Sequence, residues 1–207
     1  IHILKTNYQA YINTLIPAIE NGLEKVILFS TMAVYGDQKP PFNENMKRKP
    51  VDIYGINKTS MEHSTEILSE IFNFDWVIIR PHNVFGVRQS LSDRFRNVCG
   101  IFMNRIMRGE PLYIYGDGKQ IRAFSGIEFS KDCYIKALEF SKEIFNIGGK
   151  FPITVNSVAS EVLIAMGENP LRYPIVYLSD RPLDVKEAWC TWEKSEQCLD
   201  YFEPKDG

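Results

Sequence analysis

The amino-acid sequence predicts an α/β fold, in which a doubly wound parallel sheet carries a smaller mixed α/β lobe. Stretches with helical spacing of apolar residues alternate with short runs that are apolar at every position. Such runs are typical of parallel strands that helices cover on both faces. The 207 residues, 44% of them hydrophobic and 24% charged, have a soluble globular composition and suffice for one large domain or two small ones.

Helix and strand patterns alternate through the first half of the chain. A helix is predicted where apolar residues recur at spacings of three and four, and a strand where they run together. The stretch Asp37–Asp52 is rich in Pro, Asn and Lys, has no period and is predicted as a loop. The predicted elements are a helix over Tyr8–Ile19 that Gly22 ends, a strand over Val26–Phe29, a helix over Ile56–Ile71 and a strand over Trp76–Ile79.

The second half of the chain predicts shorter and more mixed elements. We therefore expect residues 1–86 to belong to the main sheet domain. Residues 87–207 are expected to form mainly the second lobe, with some segments returning to the sheet. The predicted elements are helices over about Arg96–Arg108, Ser130–Glu139, Val158–Met166 and Glu193–Leu199, and strands over Leu112–Tyr115, Ile144–Ile147 and Ile175–Leu178.

Charge, apolar runs and cysteine content argue against several classes of protein. The formal net charge of −2 provides no basic field for nucleic acid. No apolar run approaches the roughly 20 residues of a membrane-spanning helix. The four cysteines are too few for a disulfide framework and lack metal-ligand spacing. We therefore expect no nucleic acid, no membrane partner, no metal, and a cytoplasmic protein with reduced thiols.

A tyrosine and a lysine are spaced four apart at the start of the long helix. Tyr54 and Lys58 share one helix face, one turn apart. The pKa of a free phenol is near 10, and a neighbouring ammonium lowers it, which equips Tyr54 to take a proton from a hydroxyl group. The same spacing occurs three more times, but across Gly-Asp turns or a terminal proline rather than on a helix.

The strand end before this helix supplies hydroxyl groups. Ser30 and Thr31 follow the run Val26–Phe29 directly. Ligands of open parallel sheets bind at the carboxyl ends of the strands. We therefore expect the Thr31 hydroxyl to lie beside the Tyr54 phenol and to orient a substrate hydroxyl.

Three motifs, in this order along the chain, carry a family resemblance. They are Ser-Thr-x-x-Val-Tyr-Gly from Ser30, Tyr-Gly-x-x-Lys from Tyr54 and Arg-Pro-x-Asn-Val-Phe-Gly from Arg80. Over nearly its whole length the sequence resembles the extended short-chain dehydrogenase/reductase superfamily. Within it, the chain is similar to the NAD-dependent epimerase/dehydratase family and to its UDP-glucose 4-epimerase-like members. The resemblance implies that residues 1–86 are the carboxyl-terminal part of a Rossmann-like NAD-binding domain and that 87–207 mainly bind a nucleotide sugar.

The resemblance also implies roles for residues at the NAD end of the site. By the resemblance, Asn7 lies next to the cofactor, and the alternative is that it is only the N-cap of the first helix. Lys58 is expected to hold the nicotinamide ribose. The implied catalytic residues are Thr31, Tyr54 and Lys58, and the implied cofactor-binding residues are Asn7, Ser30, Tyr54, Lys58 and Pro81.

A second set of residues is implied to bind the substrate. Two arginines suit a diphosphate because each guanidinium fork matches phosphate oxygens. Asn83 has an alternative interpretation as a turn residue, and Arg122 and Arg181 as solvated or salt-bridged arginines. Ala123 and Leu183 stand where the family has Asp and Gly, which leaves the local backbone open. The implied substrate-binding residues are Thr31, Asn83, Asn97, Val98, Tyr115, Arg122, Arg181, Asp184 and Ala188.

The two residues after Thr31 bear on the reaction. By the resemblance, dehydratases have Asp-Glu there and decarboxylases keep a Glu, whereas this chain has Met32 and Ala33. This favours NAD-dependent 4-epimerisation of a UDP-sugar through a 4-keto intermediate. Another oxidoreductase or dehydratase of the superfamily and a non-catalytic NAD-fold binding protein are the alternatives. Ala188 aligns with the position that limits the C2 substituent, and its small side chain favours N-acetylhexosamine substrates as well.

No glycine-rich turn for the NAD pyrophosphate, of the form G-x-G-x-x-G or G-x-x-G-x-x-G, occurs in the 207 residues. By the resemblance, the chain corresponds to the carboxyl-terminal two-thirds of an enzyme of this family. We therefore expect an exposed apolar edge on the first strand, low solubility and weak NAD binding. The complete enzyme is expected to be a homodimer joined through the helices Tyr8–Ile19 and Tyr54–Ile71.

Overall fold

The computed structural model describes residues 3–92 and 97–204, and the parallel α/β fold predicted from the sequence is confirmed. The helices are α1 (Ala10–Glu20), α2 (Ile53–Phe72), α3 (Val98–Met107), α4 (Ile127–Lys136), α5 (Val155–Ala165) and α6 (Glu193–Leu199). The strands are β1 (Lys25–Phe29), β2 (Asp75–Pro81), β3 (Val84–Phe85), β4 (Leu112–Tyr115), β5 (Ile121–Arg122), β6 (Ser125–Gly126), β7 (Glu143–Ile147), β8 (Ile153–Thr154), β9 (Ile175–Leu178) and β10 (Glu187–Ala188). A π-helical segment, Leu4–Gln9, precedes α1, and 3-10 turns follow β1 (Met32–Tyr35) and α4 (Ala137–Glu139).

Three parallel strands form the main sheet in the order β1-β2-β7. Leu28 lies opposite Ile78, and Ile78 lies opposite Ile144. The carboxyl ends of the three strands therefore meet at one edge of the sheet. Within the described ranges β1 is an edge strand, and the Phe29 side chain at its end is 47% exposed.

Different helices cover the two faces of the main sheet. Val77 and Ile79 of β2 pack in a cluster with residues of α4 and α6. Trp76 and Ile78 pack in a cluster with Met61 of α2 and with tyrosines of the first helical segment. Successive side chains of a strand point to opposite faces, so a continuous apolar run is what this burial requires.

A second set of small sheets forms the lobe. β4 pairs with β9 in parallel, β5 lies between β10 and β8, and β3 pairs with β6. The helices α3 and α5 pack on β4 around a core of their own. The buried residues of this core are Phe102, Ile106, Leu112, Ile114, Val155, Val158, Ala159 and Leu163.

The ends of α2 follow from the local sequence. The Asp52 carboxylate accepts a hydrogen bond from the Gly55 N–H (2.6 Å) and caps the first turn. A Cβ on Gly55 would lie 2.6 Å from the carbonyl oxygen of Ala33, so glycine permits the close approach seen here. Asn73, with φ of 54°, ends the helix in the left-handed conformation. The first turn of α2 is thereby held against the segment that follows Thr31.

Most elements have the type that the sequence predicts, with shifted bounds. The first helix extends back to Leu4 through the π-helical segment, and α2 begins at Ile53 because Asp52 caps it. α3 begins at Val98, and Arg96, at the predicted start of that helix, lies outside the described residues. The two-residue strands β3, β5, β6, β8 and β10 are not predicted, because two residues show no period.

Candidate active site

Thr31, Tyr54 and Lys58 lie together at the carboxyl end of β1. The Thr31 hydroxyl accepts a hydrogen bond from the Ala33 N–H (3.3 Å) and lies close enough to the Tyr54 phenol to lower its pKa. Lys58 lies one turn further along α2, with Nζ 6.0 Å from the centroid of the Tyr54 ring. Its ammonium donates a hydrogen bond to the carbonyl oxygen of Phe29 (2.7 Å). The three side chains that the sequence singles out therefore form one group.

The pKa values in this group run against the simple expectation that Lys58 lowers the pKa of Tyr54. Burial raises the pKa of the Tyr54 phenol, the nearby Thr31 hydroxyl lowers it in part, and the charge of Asp52 adds to the rise. Burial lowers the pKa of Lys58, and the negative charge of Glu62 raises it. Tyr54 is thus a protonated phenol near neutral pH in this arrangement, and acting as a base requires further positive charge close to it.

The remaining residues expected at NAD lie around the same part of the fold. Ser30 is buried, and its N–H donates to the carbonyl oxygen of Ile79 (2.7 Å). Pro81 is partly buried at the last position of β2. Asn7 lies inside the π-helical segment, and Gln9 holds the N-cap position of α1, so the N-cap interpretation of Asn7 does not describe the structure.

A cavity of about 690 Å³ lies in the lobe, between α3, β4, β5 and the segment before β10. Because Asn83 lies two residues beyond β2, the cavity reaches the carboxyl end of the main sheet. Thr31 lies in the group described above, and Ala188 is 5% exposed in a core cluster with Val34 and Tyr35, outside the cavity lining. The other implied substrate-binding residues all line this cavity: Asn83, Asn97, Val98, Tyr115, Arg122, Arg181 and Asp184.

Two of these lining residues are arginines that are held in different ways. Arg122 forms a salt bridge with Asp184 (Nη2 to Oδ1, 3.2 Å), so the salt-bridge alternative describes its position. The Arg181 guanidinium stacks over the Tyr115 ring, 3.8 Å from its centroid. Stacking fixes the plane of a guanidinium while its N–H edge stays available, which suits binding of a phosphate.

A third arginine, not predicted from the sequence, lines the same cavity. Arg105 stacks over the Tyr113 ring at 3.9 Å, and its Nη1 donates to Oε2 of Glu110 (3.3 Å). Asn97, Ile101 and Arg105 follow one another in steps of four along α3, and all three line the cavity. Extending the helical spacing from Asn97 is therefore the signal that finds Arg105.

The backbone around the cavity has three positions of note. Asn83 has φ of 35°, as a turn residue does, and its amide donates to the carbonyl oxygen of Ala123 (2.7 Å). Asn97 caps α3 by accepting a hydrogen bond from the Gly100 N–H (3.3 Å). Leu183 has φ of 60°, in the left-handed region that favours glycine. The chain thus adopts at Leu183 a conformation suited to the glycine that the family has there.

His82 is a buried histidine whose ring nitrogens have no hydrogen-bond partner among the described residues. Burial, with the positive charge of Arg80, lowers its pKa to about 3. An unfolded histidine titrates near 6.5, so between these pH values the unfolded chain binds the additional proton. The stability that neutral His82 allows is therefore complete above about pH 6.5 and is lost as the pH falls towards 3.

We expect the unfolding free energy of His82→Leu to fall less steeply than that of the wild type as the pH decreases below about 6. Removing the imidazole should take up to about 1.4 kcal/mol per pH unit from the slope of the unfolding free energy below about pH 6. Urea unfolding of the two proteins at a series of pH values from about 7 to 5 measures it. Equal slopes for both proteins would contradict the prediction.

The described ranges give no evidence of a metal site or of a membrane-spanning helix. No group of three or more His, Cys, Asp or Glu residues there could hold a metal ion. No helix in the described part of the chain is long and apolar enough to cross a membrane. All four cysteines are free thiols, and burial raises the pKa of Cys133 to about 11, so that thiol is not an activated nucleophile.

A comparison with families of known proteins identifies the family to which this α/β chain belongs. The profile of the NAD dependent epimerase/dehydratase family matches residues 2–148, which is more than half of the chain. The chain belongs to this family. Family membership confirms the resemblance seen in the sequence motifs, and it brings NAD dependence and nucleotide-sugar chemistry as properties of the family.

Members of the NAD-dependent epimerase/dehydratase family similar to this chain differ in their reactions. The UDP-glucuronate 4-epimerase of Thermodesulfobacterium geofontis is 30% identical over 185 residues, which are 87% of this chain and 54% of the relative. The UDP-N-acetyl-α-D-glucosaminuronate decarboxylase of Bacillus cytotoxicus is 31% identical over 170 residues, 78% of this chain and 52% of the relative. The chain therefore spans about half the length of these curated relatives.

A solved structure from the same family has the same fold. The UDP-glucose 4-epimerase of Thermotoga maritima, crystallised with UDP-glucose, is 30% identical and superposes with a TM-score of 0.88. The match covers 97% of this chain and 65% of that protein. At this identity the family is fixed, whereas the choice between epimerisation and dehydration is not.

Proposed function

We propose that this chain carries the catalytic and substrate-binding part of a UDP-sugar 4-epimerase that uses NAD. The observation that carries the proposal is the pair of residues after Thr31. Met32 and Ala33 begin the 3-10 turn that packs against the first turn of α2, and Met32 packs on a core cluster. Neither side chain ionises, so the position where dehydratases are expected to hold their acid and base offers neither.

The residues present fit the nicotinamide end of NAD by the chemistry of their donors. The Lys58 ammonium has three N–H donors and spends one on the Phe29 carbonyl oxygen, which leaves donors for vicinal ribose hydroxyls. Ser30 and Tyr54 add hydroxyl groups at the same strand end. NAD bound there would supply the acceptor and donor of the hydride at C4 of the sugar.

The chain's own residues then divide the proton chemistry and the binding. Tyr54 takes the proton from the sugar O4 and returns it after the ring has turned, and Thr31 orients that hydroxyl. Lys58 stabilises the phenolate through its charge, together with the positive charge that oxidised NAD would add when bound beside it. Arg122 and Arg181 hold the diphosphate, which leaves the sugar ring as the part that turns over.

The identity of the product tests this reaction. We expect UDP-glucose, incubated with the complete enzyme and saturating NAD, to yield UDP-galactose with NAD remaining oxidised after turnover. Proton NMR of the sugar product and absorbance at 340 nm measure both. A 4-keto-6-deoxy sugar would support a dehydratase, and accumulating NADH a reductase. UDP-glucose binding in calorimetry without conversion would support the non-catalytic alternative.

The breadth of the sugar specificity is tested with a second substrate. Ala188 has the small side chain expected of an enzyme that admits a 2-acetamido group, although it lies in the core beside Val34. We expect UDP-N-acetylglucosamine to be epimerised as well as UDP-glucose. Failure to turn over the acetamido sugar under conditions where UDP-glucose reacts would reject this reading of Ala188.

A homodimer is the second part of the proposal. α2 exposes four isoleucines whose spacings of 3, 11 and 4 place them on one helix face. A second copy of the chain, related by a two-fold axis, would cover this helix face in both subunits. The four are Ile53, Ile56, Ile67 and Ile71, each 49% to 65% exposed.

We expect Ile67→Glu to convert the dimer to a monomer. The new charge would be buried against the partner copy without a counter-charge. Light scattering at one protein concentration measures the mass of wild type and variant. Leu171→Glu, at a position 95% exposed in the lobe, is the control and should stay dimeric. A dimeric Ile67→Glu protein would place the interface elsewhere.

A further inference from the structure

A buried ion pair lies directly behind the catalytic group. Glu62 of α2 is 0% exposed and Arg80 of β2 is 1% exposed. Arg80 donates to both Glu62 carboxylate oxygens, from Nε to Oε1 (2.9 Å) and from Nη2 to Oε2 (2.7 Å). Arg48, in the loop before α2, donates to the same carboxylate from the outer side. Charges this deeply buried persist only when they are paired and hydrogen-bonded, and these are both.

Further hydrogen bonds tie this pair to the carboxyl ends of the strands. The third side of the Arg80 guanidinium donates to the Tyr35 hydroxyl (2.8 Å), and Tyr35 donates to Oδ1 of Asn146 in β7 (2.7 Å). Tyr35 ends the 3-10 turn that begins after Thr31. The position of α2 is thereby fixed against β2, β7 and the segment that carries Thr31.

The carboxylate also shares a helix face with the catalytic pair. Tyr54, Lys58 and Glu62 follow one another in steps of four, so one turn separates each from the next. Lys58 donates to the Phe29 carbonyl oxygen, and Glu62 follows it one turn further along the same helix face. Burial lowers the pKa of Lys58, and the nearby Glu62 is the negative charge that opposes this. Among the described residues, Arg48, Arg80 and Asp52 interact directly with this row, Tyr35 bonds to Arg80, and Tyr11 of α1 bonds to Thr65 nearby on α2.

We propose that Glu62 is a positioning residue for Lys58, held between Arg80 and Arg48 so that its negative charge stabilises the ammonium of the partly buried lysine. The inference rests on the proposed role of Lys58 in the function above. A purely structural role for Glu62 makes a different prediction. Loosening the cluster from either side would let water reach Lys58 and would shift the pKa of the lysine in the same direction in both cases.

The direction in which the pKa of Lys58 changes, when a charge is removed from either side of the cluster, therefore tests the proposal. Glu62→Gln removes a negative charge and should lower the pKa of Lys58 by about half a unit or more. Arg48→Gln removes a positive charge from the same carboxylate and should raise it. Glu66→Gln is the matched control, because Glu66 also pairs with Arg48 but lies two helical turns from Lys58. It should change the pKa of Lys58 least.

The measurement is an NMR titration of the lysine Nζ signals in the isotope-labelled chain, with Lys58 assigned by its absence in Lys58→Arg. An unchanged or raised pKa of Lys58 in Glu62→Gln would overturn the inference. If Glu62→Gln does not fold, Arg48→Gln and the charge-keeping Arg48→Lys decide together: a rise in Arg48→Gln that Arg48→Lys does not show supports the inference, and equal shifts in both variants, a fall or no change in Arg48→Gln overturn it. The titration needs no turnover, so its failure is distinct from failure of the epimerase proposal, which the product assay tests.

Discussion

Replacing Tyr54 with phenylalanine is expected to slow epimerisation of UDP-glucose by at least about 100-fold. The substitution keeps the ring and removes the hydroxyl that lies close to Thr31 and takes the O4 proton. Initial rates of UDP-galactose formation at saturating NAD, for wild type and variant, measure the loss. The effect is expected to be large because Met32 and Ala33, which follow Thr31, do not ionise and so cannot replace the Tyr54 hydroxyl in the proton transfer.

Binding separates this effect from a general disturbance of the site. UDP-glucose affinity in calorimetry should stay within about twofold in Tyr54→Phe, because Arg122 and Arg181 are untouched. Tyr177→Phe, a change of the same kind at an exposed tyrosine of β9, should leave the rate unchanged. Epimerisation that survives Tyr54→Phe at the wild-type rate would contradict the assigned chemistry.

The largest loss of stability is expected from Arg80→Met. The variant leaves the Glu62 carboxylate buried with Arg48 alone and strips the Tyr35 hydroxyl of a donor. Removing one partner of a buried ion pair typically costs about 3–5 kcal/mol of unfolding free energy. Urea unfolding at neutral pH measures the difference.

Two comparisons locate the origin of that loss. Lys142→Met breaks an exposed ion pair with Glu70, where the side chains are 49% and 71% exposed, and should cost less than about 1 kcal/mol. The double variant Arg80→Met with Glu62→Leu removes both charges and should recover most of the loss. A cost for Arg80→Met as small as that for Lys142→Met would contradict the prediction that the variant leaves an uncompensated buried charge on Glu62.

Several elements were predictable because their patterns have sharp ends. The strands Leu112–Tyr115 and Ile175–Leu178 and the helix Glu193–Leu199 occur with the predicted bounds. The strand Leu112–Tyr115 follows Pro111 and precedes a Gly-Asp turn, so both of its ends are marked in the sequence. By contrast, α2 begins at Ile53, before its first periodic apolar residue, because the Asp52 cap rather than periodicity sets its start.

The site was predictable only as far as short-range spacing and family motifs reach. Helical spacing puts Tyr54 and Lys58 on one face, as the structure has them. The raised pKa of Tyr54, whose side chain is 40% exposed, comes from its partial desolvation, which arises from packing between distant segments. The bond from Lys58 to the Phe29 carbonyl oxygen joins residues 29 positions apart and has no local pattern. The Arg80–Glu62 pair joins residues 18 positions apart and likewise has no local pattern that predicts it.

The cluster around Arg80 also has a consequence for how the chain folds. Tyr35 bonds to Asn146 across 111 positions, and the Asn146 N–H bonds to Glu44 across 102. Contacts between such distant positions form only after most of the chain is in place. Interactions absent from the folding transition state slow unfolding and leave the folding rate almost unchanged. The hydrogen bonds of Tyr35 and Glu44 with Asn146 are therefore expected to form late in folding and, by slowing unfolding, to lengthen the lifetime of the native state.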